Sequence, residues 1–295
     1  MTAKIIDGKQ VAADMRAELK DEVAKLKTEN IIPGLGVILV GADPASQSYV
    51  TAKERACADI GLYSDDNRLP ADSSQQDLID LVNKMNNDPK INGILVQLPL
   101  PKQLDESEVL LTIDPKKDVD GFHPINIGKM VAGQKAFLPC TPHGIIQLLQ
   151  RSSVTLEGAE VVVVGRSNIV GKPITNMLIQ KAPTGNATVT VCHTRTKNLA
   201  EHTRRADIII AAAGRPNTIT ADMVKDGVVV IDVGVNRVED ATKKRGYRLV
   251  GDVDFEAVKE KASLITPVPG GVGPMTITML LYNTVESAKR AAGKA

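Results

Sequence analysis

The sequence predicts an α/β protein in two parts, the second built on a doubly wound parallel sheet. Three observations carry this expectation. Helical and strand-like segments alternate along the 295 residues, which is the pattern of parallel sheets with crossover helices. The stronger strand segments, such as the four valines at 161–164, are apolar on both faces, as strands buried between helices must be. Between that valine strand and the helix after it, Gly165 and Gly171 bracket a short loop.

The elements follow in order. Val11, Met15, Leu19, Val23 and Leu26 recur at three or four residues and predict a first helix. Residues 35–40 read as a strand and 45–60 as a helix ending before Gly61. A third helix is predicted at 78–85 and a second strong strand at 91–98, closed by Pro99 and Pro101. A short helix at 104–111 precedes residues 114–142, which read as an irregular loop rich in Asp, Gly and Pro. Thr141-Pro142 starts a helix over 144–151, and the valine strand follows. The second part continues with a helix at 174–181 and strands at 188–192, 207–213, 228–233 and 264–265. Short helices are expected near 198–205, 221–225 and 254–262. Residues 236–250 are polar and carry a Lys243-Lys244-Arg245-Gly246 turn, expected as a hairpin or excursion. A last helix at 276–292 lies past the final strand and could return to the first part.

Composition narrows the function. Net charge is +1, which gives no reason to expect nucleic acid or an acidic membrane as partner. Aromatics make up 2% and Trp is absent, so the cores are expected to be aliphatic. Cys57, Cys140 and Cys192 are odd in number and widely spaced, so neither a disulfide framework nor a zinc site is expected. The histidines, His123, His143, His193 and His202, have no metal spacing, and no metal is expected. The N-terminus does not read as a signal peptide, and no apolar run is long enough for a bilayer. A soluble, cytoplasmic protein is expected.

The glycine loop, Gly165-Arg166-Ser167-Asn168-Ile169-Val170-Gly171, departs from the dinucleotide pattern G-x-G-x-x-G at two places. Ser167 stands where the middle glycine would be, and Arg166 lies inside the loop. In NAD-binding versions an acid about 20 residues further on grips the ribose 2′-hydroxyl. Here the next strand ends Cys192-His193-Thr194-Arg195-Thr196, with no acid, one cation and two hydroxyls. That set suits a 2′-phosphate, which Arg166 could close upon, so NADP is favoured over NAD. The plainer alternative has both arginines on a solvated surface.

In the first part, Tyr49 and Lys53 are one helical turn apart. A tyrosine offers a flat face to a planar ring, and a desolvated lysine can exchange a proton. Such a pair is more often ordinary surface. Gln97 ends a buried strand, where open parallel sheets place ligand contacts. Lys117-Asp118-Val119-Asp120-Gly121 offers two carboxylates but lacks the further ligands of a calcium loop. A carboxylate receiving N–H donors of a ligand and a plain loop turn remain alternatives. Residues 267–274 hold three prolines and three glycines, a rigid backbone wall between a strand and a helix.

Tyr49-x-x-x-Lys53, Gln97-Leu98-Pro99-Leu100-Pro101, Lys117-Asp118-Val119-Asp120-Gly121, the loop from Gly165 through Gly171 to Pro173, and residues 269–276 occur together and in this order. In this the chain resembles the bifunctional methylenetetrahydrofolate dehydrogenase/methenyltetrahydrofolate cyclohydrolases, over nearly its whole length. The resemblance implies two α/β domains flanking a cleft. It implies a folate-binding catalytic domain of residues 1–142 plus 277–295 and a Rossmann-like NADP-binding domain of 143–276. It implies oxidation of 5,10-methylenetetrahydrofolate by NADP and hydrolysis of the product to 10-formyltetrahydrofolate. Lys53 becomes the central catalytic residue, Gln97 its holder, Tyr49 a ring that stacks on folate, and Asp120 a pterin contact. Leu98, Pro269, Gly270 and Gly273 join these in lining the substrate site. Gly165, Arg166, Ser167, Ile169, Val170, Gly171, Thr194, Arg195, Gly214, Val235 and Thr276 become cofactor contacts. Family members often carry Ser where Thr194 stands, and residues 181–186 look longer here than in many relatives. The resemblance also implies a homodimer, and a chain too short for an additional formyltetrahydrofolate synthetase domain. Tyr49, Lys53 and the proline-glycine wall fit another small-molecule NADP dehydrogenase, such as one resembling shikimate dehydrogenase, less well, and Lys53, Gln97 and Asp120 together argue against a non-catalytic NADP sensor.

Overall fold

The computed structural model describes residues 2–243 and 246–294, so Lys244 and Arg245 of the polar turn lie outside the described residues. The chain divides into two compact units, Met1–Ala12 with Thr141–Thr276, and Ala13–Cys140 with Ile277–Ala295. The elements along the chain begin with β1 (Lys4–Ile5), α1 (Gly8–Thr28), β2 (Gly34–Val40), α2 (Pro44–Ile60) and β3 (Tyr63–Leu69). They continue with α3 (Gln75–Asn87), β4 (Gly93–Val96), α4 (Glu106–Thr112), α5 (Pro124–Val131) and α6 (Cys140–Arg151). After these come β5 (Glu160–Val164), α7 (Gly171–Leu178), β6 (Thr188–Cys192), α8 (Leu199–Thr203), β7 (Ile208–Ala211) and β8 (Val229–Asp232). Last are β9 (Asn236–Glu239), β10 (Tyr247–Val250), α9 (Phe255–Val258), β11 (Leu264–Ile265) and α10 (Val272–Ala291).

The unit of Ala13–Cys140 and Ile277–Ala295 is built on a three-stranded parallel sheet in the order β3-β2-β4. All seven residues of the central strand β2 are buried. Ile38, Val40, Ile94 and Val96 pack with Leu78, Val82 and Met85 of α3. The start of α3 is fixed by a capping box in which Ser74 and Asp77 satisfy each other's backbone N–H. The predicted strand at 91–98 is shorter than expected, because its ladder to β2 covers only Gly93–Val96. The sequence reading had no strand over Tyr63–Leu69. This edge strand is polar, with Arg68 reaching Asp66 and Glu54, so it lacks the apolar signal of a central strand. The segment 114–142 is not wholly irregular, since α5 and the start of α6 fall within it. Residues 277–295 belong to this unit: Asn283 Nδ2 donates to the carbonyls of Val119 and Leu138 at 2.8 and 3.0 Å.

The other unit holds a six-stranded sheet in the order β1-β11-β8-β7-β5-β6, parallel at every step. Its core is aliphatic, with Val162, Val164, Ile209, Val230 and Ile265 at its centre. Residues 1–12 were expected with the first part and pack here instead. The cause is β1, whose two residues pair with Leu264 and Ile265 and are too few to show any periodicity. The polar stretch after β8 is an antiparallel hairpin of β9 and β10. Only Phe255–Val258 of the helix expected at 254–262 forms as α-helix. The last helix begins at Val272 rather than 276, since Pro274 is tolerated in a first turn where its missing N–H has no role. Chain order reverses around β5, with β6 on one side and β7 on the other, which opens a crevice beyond their carboxyl ends.

Gly93 at the start of β4 shows how tightly the small sheet is closed. A Cβ built there would lie 2.6 and 2.7 Å from the two Val119 methyls. Gly93→Ala is expected to destabilise the protein by about 1–3 kcal/mol through this overpacking, read as a lower urea midpoint.

Candidate active site

Two clusters of functional side chains form, one in each unit. The first begins at α2. Asp43 caps this helix by accepting from Ser46 N at 2.8 Å, Pro44 opens it, and Gly61 ends it in the left-handed region at φ 82°. Those limits set Tyr49 and Lys53 one turn apart. Tyr49 is 53% exposed, whereas Lys53 is 9% exposed. Lys53 Nζ donates to Gln97 Oε1 at 2.9 Å. Gln97 is itself held at the end of β4, its N–H donating to Ile38 O at 2.9 Å. Its Nε2 donates to Leu98 O at 2.7 Å, so the amide oxygen is turned to the lysine, which has only donors.

Burial lowers the Lys53 pKa below the ordinary lysine value, and the Asp120 carboxylate opposes that shift. Burial pushes Asp120 up to about 6, while Lys53 draws it down. The neighbouring Cys140 thiol is pushed well above its usual range by burial and by Asp120. Cys140 Sγ donates to Val119 O at 3.3 Å. The sequence reading set the cysteines aside. Cys140 sits here because it opens α6, a placement that no spacing from Lys53 could signal.

The two carboxylates of the Asp-Val-Asp-Gly run separate in role. Asp118 is 2% exposed and accepts from Gly121 N, Phe122 N, His123 N and Asn126 Nδ2 at 2.8–3.2 Å. It organises the loop. Asp120 keeps its carboxylate for Lys53 and Cys140.

The second cluster lies in the crevice at the ends of β5, β6 and β7. A cavity of about 370 Å³ is lined there by Gly165, Arg166, Ser167, His193, Thr194, Ala212, Ala213, Arg215 and Thr218, with Val164 and Leu199. Gly165 has φ 138°, and a Cβ on it would lie 2.1 Å from Ala212 O. Gly171 meets Gly165 O in the same way at 2.3 Å, so both outer glycines allow close backbone approach. Ser167 takes the place of a middle glycine and caps the start of α7: its Oγ accepts from Val170 N and Gly171 N at 3.1 and 3.3 Å. Among the described residues no carboxylate side chain lines the cavity, while Arg166, Arg215 and the hydroxyl-bearing Ser167 and Thr194 do. That donor set fits a phosphorylated nucleotide.

Other expected cofactor residues stand elsewhere. Arg195 is not a lining residue, and its N–H donates to His193 Nδ1 at 3.1 Å. Ile169 and Val235 are 50% and 55% exposed and Val170 is buried, none of them lining the cavity. Gly214 N donates to Asp252 Oδ2 at 2.8 Å, and Thr276 Oγ1 lies 2.9 Å from Thr141 Oγ1. In the proline-glycine wall, Pro269 and Gly273 are exposed and Gly270 has φ 107°. Sequence reasoning missed His193 and Arg215 as lining residues. His193 precedes Thr194 at the strand end and could have been read there. Arg215 follows Gly214 beyond β7 and carried no motif.

Residues 6–120 match the catalytic domain of the tetrahydrofolate dehydrogenase/cyclohydrolases, and residues 139–292 match their NAD(P)-binding domain. Over 99% of its length, and 100% of the relative's, the chain is 60% identical to the bifunctional protein FolD of Syntrophus aciditrophicus strain SB. The chain belongs to the tetrahydrofolate dehydrogenase/cyclohydrolase family. Two solved structures are similar throughout. The dehydrogenase/cyclohydrolase FolD of Campylobacter jejuni is 50% identical with a TM-score of 0.92, covering 98% of this chain and 99% of that one. The enzyme of Trypanosoma brucei, complexed with NADP cofactor and inhibitor, is 40% identical with a TM-score of 0.93 over 99% of both chains. This dehydrogenase/cyclohydrolase is thus a bifunctional enzyme that oxidises 5,10-methylenetetrahydrofolate and hydrolyses the methenyl product. Among the described residues no cluster of His, Cys, Asp and Glu could hold a metal ion.

The Asp120 shift has a consequence for stability. Its pKa in the fold, about 6, lies above the ordinary 3.8. The folded state therefore binds the proton better, a contribution fully present at the lowest pH and lost as pH rises through about 6. Asp120→Asn escapes that loss, so its Tm relative to the parent is expected to rise between about pH 4 and about pH 7. Scanning calorimetry at the two pH values measures it, and a constant difference would refute the shift.

Proposed function

We propose that Lys53 carries the proton chemistry of this enzyme and that the cofactor is NADP rather than NAD. The observation that supports the first part is the hydrogen bond from the buried Lys53 Nζ to Gln97 Oε1 beside Asp120. Burial favours the neutral amine, and a cationic methenyl substrate would favour it further. Neutral Nζ accepts a proton from the water that attacks the methenyl carbon between N5 and N10. A C–O bond forms to give a neutral carbinol. Nζ then passes its proton to N5 as the N5–C bond breaks, and the carbinol hydroxyl loses its remaining proton to solvent as the formyl C=O forms on N10. Gln97 Oε1 orients Nζ for this transfer. The exposed ring of Tyr49 stacks on the folate, and Asp120 takes N–H donors of the pterin.

Bound NADP⁺ supplies the hydride acceptor for the methylene carbon. Arg166 and Thr194 hold its 2′-phosphate, and the cavity they line supports this, since among the described residues no carboxylate side chain lines it. Gly165 and Gly171 let the backbone come close, and Ser167 stiffens the turn between them. The unit of Ala13–Cys140 and Ile277–Ala295 is the folate-binding catalytic part, and the other binds NADP. The family resemblance further supports a homodimer working in the cytoplasm.

Purified protein with methylenetetrahydrofolate and NADP⁺ should yield NADPH and the methenyl absorbance. No turnover with either NADP⁺ or NAD⁺ would defeat the reading. Lys53→Met is expected to lower cyclohydrolase kcat by about a hundredfold or more while folate affinity changes by only a few-fold. Equal loss of binding and rate would make Lys53 a ligand contact only. Arg166→Ala should raise KM for NADP⁺ about tenfold and leave NAD⁺ unaffected. An unchanged ratio of the two would show that Arg166 faces solvent.

A further inference from the structure

The loop after β7 carries Arg215, and one buried residue, Asp252, bonds to both of its ends. Asp252 is fully buried, and its Oδ2 accepts from Ala213 N at 2.6 Å and Gly214 N at 2.8 Å. Its backbone carbonyl accepts from Thr218 N at 2.7 Å and Ile219 N at 3.2 Å. One residue therefore fixes both ends of the segment 213–219. Asp252 is fixed in turn: Asn236 Nδ2 donates to its Oδ1 at 2.8 Å, and its N–H donates to Asp232 Oδ1 at 2.9 Å. Glycine is required at Gly251 and Gly234 beside it, where a Cβ would lie about 2 Å from the Asp232 and Asp252 carboxylates.

Within the clamped loop, Thr218 Oγ1 donates to Arg215 O at 2.8 Å, which closes the turn. Arg215 lines the same cavity as Arg166, with Thr194 and His193. Among the described residues no ion pair to Arg215 is formed. Arg166 and Arg215 thus bring two positive charges to the lining of one cavity of about 370 Å³ that, among the described residues, no carboxylate side chain lines, so an entering anion meets positive charge. A clamped loop also loses less entropy when its arginine meets a ligand.

We propose that Arg215 is a second phosphate-binding guanidinium of the nucleotide cavity, and that Asp252 is the positioning residue that holds its loop in place. The inference rests on the cofactor reading above and extends it to a residue outside the glycine loop. The dinucleotide offers two phosphate sources, the 2′-phosphate and the pyrophosphate, and both have the chemistry that an arginine fork recognises.

Calorimetric titration of the full chain with NADP⁺, and separately with NAD⁺, tests this without turnover. Arg215→Gln is expected to weaken NADP⁺ by about tenfold or more. Weakening of NADP⁺ alone assigns the contact to the 2′-phosphate, and equal weakening of NAD⁺ assigns it to the pyrophosphate. Affinities unchanged within about twofold, while Arg166→Ala weakens NADP⁺, overturn the proposal for Arg215. A wild-type protein that binds neither nucleotide overturns the cofactor reading itself, and this inference with it. Asp252→Asn should weaken NADP⁺, and by much less when Arg215 is already Gln, because the two act through one loop. Additive losses would show that Asp252 has only a general structural role. Should Asp252→Asn fail to fold, Thr218→Val, which removes the bond to Arg215 O, serves in the same cycle.

Discussion

A charge taken out of water must be met by fixed donors or by an opposite charge, and both units are organised around that requirement. Asp118 meets it with three backbone N–H groups and an amide, and so shapes the loop that carries Asp120. Asp252 meets it with two backbone N–H groups and Asn236, and so holds the loop after β7. Asp232 is met by the N–H groups of Gly234, Asp252 and Val253, yet burial still raises it to about 6. Lys53 differs. Its partners are one amide oxygen and a carboxylate that is itself pushed up to about 6. The compensation is partial, and burial holds the amine's pKa below the ordinary lysine value.

Close backbone approach is the second constraint, and it decides where glycine stands. Gly165 and Gly171 let the turn after β5 fold against β7 and against itself. Ser167 can replace the middle glycine because the loop uses its hydroxyl, which takes two N–H groups at the start of α7. The order of strands then matters. Because β5 lies between β6 and β7, the residues that follow all three strands meet at one crevice. Arg166, Thr194 and Arg215 come from three separate loops and share a cavity for that reason.

Much of the fold was legible because buried strands and amphipathic helices repeat their apolar residues with fixed periods. The valines of β5, the isoleucines of β7 and the capped helix α2 are of this kind. Where the period is too short or the face is polar, the signal fails. Residues Lys4–Ile5 are too few to show a pattern, and Tyr63–Leu69 is a polar edge strand held by backbone ladders. The helix Pro124–Val131 was hidden in a run rich in Gly, Pro and Asp, where its cap is a histidine, His123. In the site, Tyr49, Lys53 and Gln97 could be read because helix spacing and strand ends are local features. Cys140 and Arg215 could not be ranked, since their places depend on contacts across many residues.

The sequence by itself determined the alternation of helices and strands, the glycine loop with its arginine, the acid-free strand end and the family. These are written in residue type and short spacing, which chemistry constrains directly. Only the tertiary structure decided that Asp118 is consumed by its loop while Asp120 remains beside Lys53. Only it decided that Arg195 stays out of the cavity and Arg215 lines it. Residues far apart in sequence share a site through sheet order and backbone hydrogen bonds, and neither is encoded in any local stretch of the chain.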